Sequence, residues 1–79
     1  MDTTDFALRA DHITLDALMK ATGLASSGGA AKVLIVDGAA RVNGDIETRR
    51  GRKLRAGDQV RVGDALIDIK AADTAQPTP

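Results

Sequence analysis

The spacing of apolar positions changes once along the chain, and the change separates a helical stretch from a strand-forming one. Leu15, Leu18 and Met19 recur at helical spacing behind Thr14, a residue suited to capping, while Asp16 and Lys20 stand four apart on another face. Gly23 stops this helix. Ser26 or Ser27 opens a second, running to about Asp37, in which Ala30, Ala31, Val33, Leu34 and Ile35 form a broad apolar arc and Gly38 supplies the stop. Lys32 lies away from that arc. The two segments, joined by Gly23 to Ser26, read as a helix-turn-helix-like pair.

Beyond Gly38 the period becomes two, with Ala40 and Val42 on one side and Arg41 and Asn43 on the other. Continuing the Val42 face through Ile46 and Thr48 requires a three-residue connection, Asn43 to Asp45, with Gly44 at positive φ. A second hairpin turns at Gly63-Asp64, setting Val62 opposite Ala65 and Val60 opposite Ile67, and Ile69 extends its apolar face. A short strand at Asp5 to Leu8 is weakly signalled, and Arg49 to Asp58 reads as an exposed basic connection ending in a Gly57-Asp58 turn. The expected order is β-α-α followed by antiparallel strands. This is an α+β fold in which two short helices pack on a small antiparallel sheet.

A chain of 79 residues has room for one domain and one small core. Residues 1–70 are expected to form that domain, with its core in 13–69. The stretch from Ala71 to Pro79 lacks periodicity, carries both prolines and reads as a disordered tail. Phe6 is the only aromatic, so the core must be aliphatic, and the absence of cysteine excludes disulfides, thiolate metal sites and a thiol nucleophile. The acidic start has no secretory character and no stretch approaches the ~20 apolar residues of a membrane span. A cytoplasmic protein with no membrane partner is expected.

Charge alters this picture. The chain is neutral overall, yet six of its eleven bases, Arg41, Arg49, Arg50, Arg52, Lys53 and Arg55, fall between residues 41 and 55, opposed there only by Asp45 and Glu47. Such a stretch can form a patch of positive potential, and its density suggests a counter-charge supplied from outside, above all by RNA. Arginine predominates in the run 49–53, and it suits bidentate phosphate contacts better than lysine. A solvated charged surface is the plain alternative. Without aromatic stacking platforms, single-strand reading is disfavoured, and recognition through the backbone shape of a folded RNA fits better.

A second candidate is the start of the second helix, where Ser27, Gly28 and Gly29 precede Lys32. Free N–H groups with little side-chain bulk, the helix dipole and a lysine one turn on would attract a phosphate. The glycines could equally serve tight helix packing, and the P-loop pattern fails because Val33 follows Lys32. Catalysis has little support. The lone His12 has no evident partner, Asp58, Asp64 and Asp68 lack metal-ligand spacing, and neither a cofactor nor a metal is expected.

Taken together, Ser27-Gly28-Gly29-Ala30-Ala31-Lys32, Leu34-Ile35, Gly38, Arg41-Val42-Asn43-Gly44 and Gly57-Asp58 resemble the S-four-type RNA-binding domain over roughly Ile13 to Ile69. With Glu47-Thr48-Arg49-Arg50, the helix start is especially similar to the small stand-alone YbcJ-like branch of that family. The resemblance implies an alpha-L arrangement that holds RNA across the start of the second helix and the adjoining strand and loop. The residues it carries over are Ser27, Gly28, Lys32, Arg41, Asn43, Arg49, Arg50, Arg52 and Lys53. Many members place an arginine directly after the serine, where this chain has Gly28, so phosphate contact there would fall to backbone N–H groups and Lys32. The expected function is that of a monomeric, non-catalytic module binding structured RNA, ribosomal or transfer RNA, in a ribosome or other ribonucleoprotein. The alternative is a small ribosome-associated adaptor that docks the same basic surface on an acidic protein.

Overall fold

The computed structural model describes residues 2–71, so the tail expected to end the chain lies outside the described residues from 72 on. In chain order the elements are β1 (Asp2–Ala7), β2 (Ile13–Thr14), α1 (Leu15–Ala21), α2 (Gly28–Val36), β3 (Ala40–Val42), β4 (Asp45–Ile46), β5 (Lys53–Leu54), β6 (Gln59–Val62) and β7 (Ala65–Lys70). Five strands form one sheet in the order β1-β7-β6-β3-β4, and β2 pairs with β5 in a separate two-stranded ribbon. The fold is α+β, as expected, but its sheet is mixed. β6 pairs antiparallel with β7 and β3, whereas β1 joins β7 in parallel, with Phe6 opposite Ile69. Alternation reveals which face of a strand is buried, not the direction in which a distant strand will run beside it.

The core fills the space between the helices and one face of this sheet. Leu15, Leu18 and Met19 of α1, Ala31 and Ile35 of α2, Ala40 and Val42 of β3, Val60 of β6, and Ile67 and Ile69 of β7 are all buried. Leu8, Ala25 and Leu54 complete it, with Phe6 packed against its edge. The second helix buries a narrower stripe than its apolar arc implied. Ala31 and Ile35, four apart, point inward, Ala30 and Leu34 are half-buried, and Val33 is 61 % exposed.

The turns explain the register. Asn43 and Gly44 both have positive φ, 53° and 91°, so they form a tight two-residue turn of the kind whose twist matches a hairpin. Val42 therefore faces Asp45 and Arg41 faces Ile46, in place of the expected three-residue connection, and Ile46 is left 55 % exposed. Asparagine tolerates the left-handed region, and here its side chain is also anchored. Its Nδ2 donates to Asp58 Oδ1 at 3.0 Å and its Oδ1 accepts from the Gln59 N–H at 2.9 Å. The Gly63-Asp64 hairpin has the expected register, Val62 opposite Ala65 and Val60 opposite Ile67.

Candidate nucleic-acid interface

The basic connection is more ordered than its composition implied. Lys53 and Leu54 form β5, pairing with Thr14 and Ile13, and the Leu54 side chain is fully buried. The loop ahead of it also closes the start of α1. Leu15 donates its N–H to the Arg52 carbonyl at 2.9 Å and Asp16 donates to the Arg50 carbonyl at 3.1 Å. Those N–H groups would otherwise be the unpaired donors of a helix start. Thr14 takes the capping position without making a side-chain cap, since its hydroxyl donates instead to Asp16 Oδ1 at 2.7 Å. Asp16 also accepts from the Ala17 N–H, and it forms no ion pair with Lys20.

Glu47 organises the side chains of the loop. It is 7 % exposed, the one buried polar or charged residue among the described residues. Its Oε2 accepts from the Arg49 N–H at 3.0 Å and from Arg49 Nε at 2.9 Å, and its Oε1 accepts from an Arg49 terminal nitrogen at 3.1 Å and from Arg52 at 2.8 Å. The Arg49 side chain, then the Arg49 N–H, hold the carboxyl at about 2, against an ordinary value of 4.5. Two of the loop's bases thus have their counter-charge within the chain, contrary to the expectation that it comes from outside. Four positive side chains against one carboxylate still leave the loop strongly positive. Arg50 and Lys53 are exposed and have no carboxylate within ion-pair distance among the described residues, and Arg49 keeps 74 % of its side chain in solvent despite the pair. Arg49, Gly51, Arg52 and Lys53 line a shallow open hollow of about 570 Å³.

At the start of α2, Ser27 is the cap, its Oγ accepting from the Ala30 N–H at 3.1 Å while its carbonyl accepts from Ala31 at 3.0 Å. The Gly28 and Gly29 N–H groups have no protein acceptor among the described residues. Both glycines are exposed. A Cβ at Gly28 would touch nothing within 4 Å and one at Gly29 only Ser27 Oγ, so helix packing does not require them. Lys32 is exposed on the same helix. No hydrogen bond or ion pair among the described residues joins this helix start to the basic loop.

The remaining expected residues, Arg41 and Asn43, belong to the β3–β4 hairpin. Arg41 is exposed and donates to the Gly44 carbonyl at 3.3 Å, whereas both polar atoms of the Asn43 side chain are engaged within the chain. Asp58, the partner of Asn43, also accepts from the Arg55 N–H at 2.9 Å, and that bond leads in holding its carboxyl below the usual range. Arg61 is a further base outside the expected set. It lies directly opposite Arg41 on the exposed face of the sheet, a juxtaposition that follows from extending the Val60 alternation across to β3. His12 has its Nδ1 2.9 Å from Asp11 Oδ1, an exposed contact between sequence neighbours.

Comparison with known proteins bears on the family and the architecture. YbcJ of Escherichia coli strain K12 and YbcJ of Shigella flexneri are each 35 % identical to this chain over 60 residues, spanning 76 % of it and 86 % of their own length. The solution structure of YbcJ from E. coli, described as revealing an alpha-L motif involved in RNA binding, superimposes with a TM-score of 0.66 at 34 % identity, covering 85 % of this chain and 86 % of that one. Two helices packed on a small mixed sheet are thus the alpha-L architecture in this chain. The S4 domain model matches residues 6–70, nearly all of the described residues, and the chain belongs to that family.

Proposed function

We propose that this protein is a non-catalytic RNA-binding module that grips the sugar-phosphate backbone of structured RNA, ribosomal or transfer RNA, in the cytoplasm. Membership of the S4 family and the RNA-binding alpha-L motif described for YbcJ support the RNA class. The observation that carries the reading is the basic loop itself. Its backbone is pinned to α1 through the Arg50 and Arg52 carbonyls, which leaves Arg50 and Lys53 exposed as pre-placed cations. Ordering these groups before binding lowers the entropy lost when a phosphate arrives. The unpaired Gly28 and Gly29 N–H groups with Lys32 supply a second set of donors, and Ser27 serves by holding that helix start open. Arg49 and Arg52 contribute charge while bound to Glu47, and Asn43 acts through the hairpin it braces.

The test reverses only bases that the fold does not need. Arg50→Glu with Lys53→Glu should abolish binding of a fluorescein-labelled transfer RNA in anisotropy titrations while circular dichroism stays unchanged. For the unsubstituted chain, neutralising about four phosphates sets a slope of log affinity against log salt of roughly −3 to −4. Undiminished affinity in the folded double variant would refute the role of the loop. Purification from cells with ribonuclease treatment separates this reading from a protein adaptor, which would retain a stoichiometric acidic protein after the RNA is gone.

A further inference from the structure

The face of the sheet turned away from the helices is open to solvent and carries charges of both signs, with Lys70 beyond Asp68 on β7. The pairing places Asp5 of β1 beside Asp68 of β7 at one end, and Arg61 of β6 beside Arg41 of β3 toward the other. Gln59, next along β6, donates to Asp68 Oδ1 at 2.7 Å. Arg41 and Arg61 are both exposed and neither forms an ion pair among the described residues. With Gly44, Gln59 and Leu66 they line a hollow of about 530 Å³. Two like charges directly opposite across an antiparallel pair repel at a separation of ~5 Å between Cβ atoms. Nothing in the packing calls for this pair, since the inner positions Ala40, Val42 and Val60 supply the buried contacts of these strands.

We propose that Arg41 and Arg61 form a second phosphate-binding site, on the open face of the sheet, that takes a phosphodiester of the bound RNA. The proposal rests on the RNA-binding reading above and extends it from Arg41, which the resemblance carries over, to Arg61 on the open face of the sheet. A phosphate placed between two guanidinium groups converts their repulsion into two charge-assisted contacts, for which the guanidinium fork is suited. The bond from Arg41 to the Gly44 carbonyl takes one of its N–H donors and leaves the others to face the hollow. A free phosphate offers the same chemistry as a phosphodiester, so the two sources must be distinguished by experiment.

The probe is a fluorescein-labelled RNA hairpin of about 20 nucleotides, titrated in salt series against the wild-type chain, Arg61→Gln, Arg41→Gln, and Lys20→Gln as an exposed control of equal charge change. Each arginine variant should weaken binding by about 3- to 10-fold and reduce the magnitude of the salt slope by about 1, while the control retains the wild-type slope. Arg61→Gln should also melt no lower than the wild type, since it relieves repulsion, whereas a purely structural arginine would lower the melting temperature. An Arg61→Gln titration that coincides with the Lys20→Gln control overturns the proposal while leaving the RNA-binding reading intact. A wild-type chain that fails to bind the hairpin, transfer RNA or ribosomal RNA at low salt overturns both. Arginine side-chain NMR signals at Arg41 and Arg61 should shift with the hairpin. A shift with inorganic phosphate and none with the hairpin overturns the RNA assignment in favour of a small-anion site.

Discussion

Glu47 concentrates three roles in one carboxylate: it takes two oxygens out of water, satisfies both with arginine and backbone donors, and fixes the course of the basic loop. Its folded value of about 2 lies below its ordinary 4.5, so its contribution to stability is complete above about pH 4.5 and is lost as pH falls toward 2. Glu47→Gln should lower the urea midpoint at pH 7 and flatten the acid limb between pH 4.5 and 2, because the titrating group is gone. Parallel urea titrations at pH 7 and pH 3 check this. An acid limb of wild-type steepness would mean that other carboxylates dominate it. Asn43 shows the same economy, since a positive φ and two side-chain bonds let one residue both make a turn and tie it to the next.

Among the elements, burial separates residues that look equivalent as letters. Leu54 sits in a run of bases and carries a strand pairing and a full core contact, whereas Val33, in the middle of the most apolar stretch, faces solvent. Leu54→Ala and Ile35→Ala should each cost about 2 to 5 kcal/mol, and Val33→Ala should cost less than about 0.5 kcal/mol. Leu34, half-buried, falls between them. Denaturant titrations that ranked Val33 with Leu54 would contradict the facing of α2 and the presence of β5.

On the scale of the molecule, the first and last strands meet. β1 covers the edge of β7, and Leu8 continues the contact by donating its N–H to the Lys70 carbonyl at 3.1 Å. Thr3, Thr4 and Asp5 then form an edge that is polar and exposed, which discourages pairing with a second chain. Deleting residues 1–8 should destabilise the chain and uncover β7, with its apolar Leu66, Ile67 and Ile69, as a new edge. Size-exclusion chromatography should then show stronger concentration-dependent association for the truncated chain than for the full chain. A truncated chain that eluted like the full chain and was equally stable would mean that β1 is dispensable.

Local pattern by itself determined much of this protein. Helical spacing located α1 and α2, and alternation with a Gly-Asp turn gave the β6–β7 register. Charge density marked the loop 49–53, and Ser27-Gly28-Gly29 marked a helix start with spare donors. Each of these rests on neighbours a few residues apart, where backbone geometry alone relates side chains to one another. Only tertiary structure decided the rest. The parallel docking of β1 on β7 and the burial of Leu54 depend on which surfaces meet. The same is true of Arg41 standing opposite Arg61. Partners of this kind are chosen by packing between distant segments, and no local period encodes them.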